Sequence, residues 1–148
     1  MKVKLLCKKE NYNKFKQMLE AGGYTVSNDA ELTFKEDNYQ QETFIGEYNS
    51  SFEIIHYKKI IFIESFGHEI KLHTNEKSYS IREKLYEVEG ILSDKSFVRI
   101  NKSQIANIDA IKQINPTFNS KIILLMKNDE SLIVTRNYAP IFKRSIGL

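Results

Sequence analysis

Between residues 52 and 135 the chain is cut into short apolar runs by closely spaced turn residues, and that punctuation narrows the possible folds most. Residues 52–57, 60–63, 97–100, 105–108 and 110–114 are each too brief for a helix of several turns, and they are rich in isoleucine, valine and phenylalanine. Such runs are expected to be strands. Ile60-Ile61-Phe62-Ile63 is continuously apolar, which predicts burial on both faces of a sheet. Ile70 and Leu72 alternate with Lys71 and His73, as in a half-buried strand, and Asn75-Glu76 is expected to turn the chain back into Tyr79 and Ile81. Gly67 supplies one further turn, and Asn128-Asp129 another, joining residues 121–126 to residues 132–135.

Two helices interrupt this pattern. Ser80-Ile81-Arg82-Glu83 has the spacing of a capping box, and Ile81, Leu85, Val88 and Leu92 make one apolar stripe, which reads as core. The last helix is expected to be capped by Asn137, to carry Pro140 in its first turn, and to bury Tyr138, Ile141, Phe142 and Ile146. The first fifty residues read differently. A strand near residues 3–8, a helix capped by Asn11 with Tyr12, Phe15 and Leu19 on one face, a stop at Gly22-Gly23, and strands near residues 24–26 and 31–35 predict a β-α-β unit. A polar stretch at residues 37–41 and a strand at Thr43-Phe44-Ile45 follow, and the boundary between the two parts is placed near Ser50, dividing 1–50 from 51–148.

With 148 residues and 41% hydrophobic content, the chain can build a real core. No run approaches the roughly 20 apolar residues of a membrane-spanning helix, and the start lacks the apolar stretch of a signal peptide, so a cytoplasmic protein without membrane insertion is expected. The single cysteine, Cys7, follows Leu5-Leu6 and reads as a small buried hydrophobe. The charge is unevenly spread. Residues 97–148 carry Arg99, Lys102, Lys112, Lys121, Lys127, Arg136, Lys143 and Arg144 against Asp109, Asp129 and Glu130, while the preceding part is slightly acidic. This bias favours a polyanionic partner.

Catalytic signatures do not emerge. His56, His68 and His73 lack the spacing of a zinc pair, no glycine-rich phosphate loop is present, and no serine sits in a nucleophile elbow. Glu83, Glu87 and Glu89 read as one solvated helix face. No metal or cofactor is expected, and the chain reads as a non-enzyme.

Four segments together carry a family resemblance: Ile60-Ile61-Phe62-Ile63-Glu64-Ser65; Arg82-Glu83-Lys84-Leu85; Phe97-Val98-Arg99-Ile100-Asn101-Lys102-Ser103-Gln104-Ile105-Ala106-Asn107; and Val134-Thr135-Arg136-Asn137-Tyr138. In order and spacing they resemble the LytTR family over residues 52–148. The resemblance implies a mainly β domain with short helices (α+β), a stack of antiparallel sheets that reads double-stranded DNA by placing loops in successive major grooves. The chain would then be a transcription regulator. The first fifty residues lack the acidic pocket pattern of a phosphoacceptor receiver domain and are too short for one.

Carried over position by position, the resemblance puts DNA contacts at His68, Asn101, Lys102 and Arg136. Ser103 first, then Tyr138 and Lys143, are secondary candidates for phosphate contacts, because hydroxyls and cations bind backbone oxygens without reading sequence. The chemistry suits these places. An arginine fork matches guanine O6 and N7, an asparagine amide matches adenine, and lysine or serine can hold a phosphate. Two positions depart from the family, which commonly has histidine at the place of Asn101 and a glycine-containing hairpin at the place of Asn128-Asp129-Glu130. The competing reading is a β module for protein interaction or RNA binding, suggested by Tyr48, Phe66 and Phe118 in turns. The β-α-β unit is expected to mediate a homodimer on tandem half-sites or contact with a sensory partner.

Overall fold

The computed structural model describes residues 1–37 and 39–148. Its first part is the expected β-α-β unit. Strand β1 (Lys2–Leu6) lies between β2 (Thr25–Val26) and β3 (Leu32–Lys35), parallel to both, with helix α1 (Tyr12–Ala21) packed against them. Val3, Leu5, Cys7 and Leu19 form its core with Tyr12, Phe15, Val26 and Phe34. Burial holds the Cys7 thiol above its ordinary pKa, with the Glu36 carboxylate adding to the effect. Gly23, at φ 90°, provides the left-handed residue that ends the helix. Asn11 stands at the start of α1 without capping it: its amide donates to the Glu36 carboxylate instead, at 2.8 Å. The polar stretch at residues 37–41 includes Asn38, which lies outside the described residues.

The second part is built on a seven-stranded antiparallel sheet, in the order β5-β4-β8-β7-β6-β10-β9. Its strands are β4 (Thr43–Tyr48), β5 (Ser51–His56), β6 (Phe62–Phe66), β7 (Glu69–His73), β8 (Ser78–Ile81), β9 (Phe97–Asn101) and β10 (Gln104–Asn107). The division at Ser50 falls in the turn of the β4–β5 hairpin, whose first strand also pairs with β8 through Glu47 and Ser80. A second, three-stranded antiparallel sheet holds β11 (Ile111–Pro116), β12 (Ile122–Met126) and β13 (Ser131–Val134). Asp129, at φ 68°, supplies the left-handed turn between β12 and β13.

Burial on both faces of the large sheet follows from its neighbours. One face, with Phe62, Val98, Ile100 and Ala106, packs on Ile122, Leu124, Val134 and Phe142 of the smaller sheet and of helix α3 (Ala139–Ile146). The opposite face, with Ile63, Ile70, Leu72 and Ile105, packs on Leu85, Val88 and Leu92 in and beside helix α2 (Leu85–Ile91). Ile60, Ile61, Phe62 and Ile63 are consequently all buried. Asn107 is the buried polar residue of this core; its amide donates to the Ile60 carbonyl at 2.8 Å and accepts from the Asp109 amide at 3.0 Å.

Three local expectations need correction. The Ser80–Glu83 capping box does not form, because Ser80 is a strand residue whose hydroxyl accepts from Lys71 at 3.0 Å; the helix starts later, where the Glu87 carboxylate accepts from the Lys84 amide at 3.2 Å. Asn137 does not cap α3, whose N-terminal flanking residue is Tyr138. Ile141 is exposed, since the buried face of α3 runs through Ala139 and Phe142.

Candidate nucleic-acid interface

Strand register brings three loops to one end of the molecule. Phe66 pairs with Glu69 and leaves Gly67 and His68 as a two-residue turn, with Gly67 at φ 62°. Asn101 pairs with Gln104 and leaves Lys102 and Ser103 as another. Because β10 pairs antiparallel with β6 through Gln104 and Glu64, both turns leave the sheet in the same direction, and the Ser65 amide donates to the Ser103 carbonyl at 2.8 Å. The third loop follows β13, where the Thr135 amide donates to the Ile100 carbonyl at 3.0 Å and sets Arg136 beside them.

The side chains in these loops divide into two kinds. His68, Lys102 and Arg136 are exposed, and among the described residues none of the three makes a side-chain hydrogen bond or ion pair. The Asn101 amide is fully engaged. Its nitrogen donates to the Gln104 Oε1 at 2.8 Å and to the Ile133 carbonyl at 2.9 Å, while its oxygen accepts from the Ser103 amide at 2.9 Å and the Ser103 hydroxyl at 3.1 Å. Two donors and two lone pairs exhaust an asparagine. Reading adenine with this side chain would therefore require breaking the contacts that shape its own loop.

Two further groups brace the same loop from behind. The Arg99 guanidinium donates to the Asn101 carbonyl at 2.7 Å, to the Lys102 carbonyl, and to the Glu89 carboxylate at 3.1 Å. Glu89 is half-buried on α2; burial raises its pKa, and the Arg99 charge works in the other direction. The expectation of a solvated face for Glu83, Glu87 and Glu89 is thereby corrected: Glu89 pairs with Arg99, Glu87 serves the helix start, and Glu83 precedes the helix. On the other side, Gln104 donates to Glu64 at 3.0 Å, and Glu64 meets His73 Nε2 at 2.8 Å. The His73 ring lies on Phe62, with centroids 4.2 Å apart, and its Nδ1 meets the Ser78 hydroxyl at 2.6 Å. A continuous polar chain thus crosses the sheet beneath two of the three loops.

Of the secondary candidates, Ser103 shares its loop with Lys102, Tyr138 is partly buried against the core behind Arg136, and Lys143 is exposed on α3. Asp129 pairs with Lys112 at 3.4 Å in the turn before β13, at the far end of that strand from Arg136. Sequence reasoning missed the bracing roles of Arg99, Glu89, Gln104 and Glu64. Arg99 and Gln104 stand in the segment that carries the resemblance, but their partners are set by the fold.

A small antiparallel β-stack that presents loops and exposed cations at one end defines the class of protein. The family model of the LytTr DNA-binding domain matches residues 50–147, and the chain belongs to that family. It is 32% identical over 98 residues to the sensory transduction protein LytT of Bacillus subtilis, a match covering 66% of this chain and 41% of that protein. It is 34% identical over 77 residues to the transcriptional regulatory protein LytR of Staphylococcus aureus, covering 52% of this chain and 31% of that one. The chain therefore spans less than half the length of these relatives. A solved LytTr DNA-binding domain from Bacillus cereus superposes with a TM-score of 0.70 at 25% identity, covering 73% of this chain and 99% of that one. Among the described residues no helix is long and apolar enough to cross a membrane.

Proposed function

We propose that the chain binds a particular double-stranded DNA sequence through its three clustered loops and acts as a transcription regulator. The observation that carries this reading is the convergence of His68, Lys102 and Arg136, all exposed, on loops that hydrogen bonds tie together at one end of the stack. Arg136 is assigned to a guanine edge, Lys102 and Ser103 to phosphate or base acceptors, and His68 to the neighbouring groove. Asn101 is assigned to holding its loop in shape. Fixed loops have little ordering entropy left to lose on binding, which favours recognition.

Self-association on neighbouring half-sites belongs to the same reading. Edge strand β5 and its partner β4 carry Ile45, Phe52 and Ile54 on one face, exposed at 52%, 70% and 77%. An exposed apolar face beside an unpaired strand edge suits pairing with a second copy. The β-α-β unit, which rests on α2, is assigned to contact with a sensory partner.

Selection from a random duplex library at near-physiological salt tests the proposal. A recurrent sequence should emerge, and Arg136→Ala should lose about 1–3 kcal/mol at one base pair. Lys102→Ala should weaken all sequences alike and reduce the salt slope by about one if it meets a phosphate. No enrichment, or tighter binding to single-stranded RNA, would defeat it. Sedimentation showing a monomer both free and on a two-site duplex would remove the dimer.

A further inference from the structure

The hairpin tip between β11 and β12 is not among the loops that the resemblance assigns to DNA, yet it presents the most exposed apolar side chain of the molecule. Phe118 is fully solvated. The turn that carries it is closed, because the Thr117 amide and hydroxyl both donate to the Lys121 carbonyl, at 3.0 and 2.8 Å, around Ser120 at φ 67°. A rigid turn that holds a phenylalanine ring in water has a cost that burial against a partner would relieve.

Register locates the tip. Pro116 pairs with Ile122, and Ile122 pairs with Val134, so residues 117–121 extend beyond the sheet at the end where β13 delivers Arg136. Beneath the ring is a mainly apolar concavity of about 390 Å³, lined by Thr117, Phe118, Asn119, Lys121, Ile123 and Ile133. Ile133 forms part of its wall, and its carbonyl accepts the hydrogen bond from Asn101, so one residue of β13 serves both the concavity and the middle loop. Charge points to the same partner. Lys121 stands at the tip and residues 115–125 include no carboxylate, while Lys112, paired with Asp129, and Lys127 lie at the other end of the hairpin.

We infer that this tip is a fourth DNA contact, in which Phe118 packs on the apolar faces of deoxyribose and thymine methyl groups beside the groove reached by Arg136, and Lys121 meets the adjoining phosphate. The inference rests on the proposed DNA-binding function. It adds an apolar, salt-independent component to recognition and extends the footprint past the three loops. A second copy of the chain would need no lysine at the tip, whereas a duplex presents sugar and phosphate side by side.

The full chain contains no tryptophan, so Phe118→Trp places a single indole reporter at the tip. Titration with the selected duplex, followed in parallel by anisotropy of a labelled DNA, should change indole emission along the same isotherm. Phe118→Ala should weaken binding about tenfold with an unchanged salt slope, because no counterion is released by an apolar contact, while Lys121→Ala should lower the slope by about one. Both variants should melt with the wild type, since the ring touches no core. If wild type selects no duplex, the functional reading fails first. If wild type binds and Phe118→Ala binds equally, or indole emission stays constant while anisotropy saturates, the fourth contact is overturned. Loss of self-association in Phe118→Ala with DNA binding intact would overturn it as well, and would give the surface to a second copy.

Discussion

Replacing Asn101 with alanine separates a residue that shapes the loop from one that reads a base. Asn101→Ala removes two donations, to Gln104 and the Ile133 carbonyl, and two acceptances, from the Ser103 amide and hydroxyl, all between 2.8 and 3.1 Å. Each is worth about 1 kcal/mol net, but the side chain is only half-buried, and water can replace part of what is lost; about 2 kcal/mol of stability is the expected cost. For a chain of this size that corresponds to a fall in melting temperature of roughly 4–8 °C. Chemical denaturation would give the free energy, and duplex titration the consequence for binding. A loop without its internal bonds should bind all sequences more weakly and by similar factors. An unchanged midpoint combined with relaxed preference at one adenine would refute this assignment and return Asn101 to base reading.

Two further perturbations address the frame around the loops. Gly46 lies where an added Cβ would come within 2.5 Å of the Ile55 Cδ1 and 2.7 Å of the Tyr79 Cβ, so Gly46→Ala should cost about 1–3 kcal/mol by urea denaturation, and an unaltered midpoint would show that β4 is not held against β8 as described. Glu89 has its pKa raised by burial above the ordinary 4.5, so the native state binds its proton more readily than the unfolded chain does. Its contribution is therefore fully present below the unfolded value and is lost as pH rises through the folded one. The stability of wild type relative to Glu89→Gln should fall with increasing pH across that range, and a difference that is flat or rises with pH would contradict the burial argument.

Much of the β architecture was legible because turns are local. Gly67 and Asp129 adopt the positive φ that their turn positions require, and the strands they join follow from alternation or continuous burial. The misread features depend on distant partners. Asn11 has helix-capping chemistry but donates to Glu36, on a strand-end segment that only the fold brings near. Ser80 and Glu83 have capping-box spacing, yet Tyr79 and Ile81 bury themselves against the sheet, and pairing with β7 wins over an early helix start. The same limit applies at the interface. Exposure of Lys102 and Arg136 could be expected from their places in turns, and an asparagine in a turn can cap that turn, as Asn101 does toward Ser103; its donation across the fold could not be expected, since that partner is a backbone carbonyl 32 residues away. A carbonyl carries no residue identity for sequence to reveal.

The contacts behind the middle loop join both parts of the chain. Asn28 of the β-α-β unit donates to the Tyr86 carbonyl of α2 at 2.7 Å, and Lys35 pairs with Asp94 just beyond that helix at 3.3 Å. One turn along from Tyr86, Glu89 holds Arg99 at 3.1 Å, and Arg99 holds the consecutive carbonyls of Asn101 and Lys102. A displacement of α2 by about 1 Å would stretch the Glu89–Arg99 contact past hydrogen-bonding range unless Arg99 moved with it. Arg99 can follow only by releasing or pulling the loop that presents Lys102. The β-α-β unit, α2 and the middle loop are therefore joined by a continuous run of contacts through one partly buried ion pair, which salt screens far less than it would a surface pair. The Asn28–Tyr86 and Lys35–Asp94 contacts are exposed and each is weaker than the partly buried pair behind them. A partner that bound the β-alpha-β unit would act first on those outer contacts, and the loop would respond only if α2 moved.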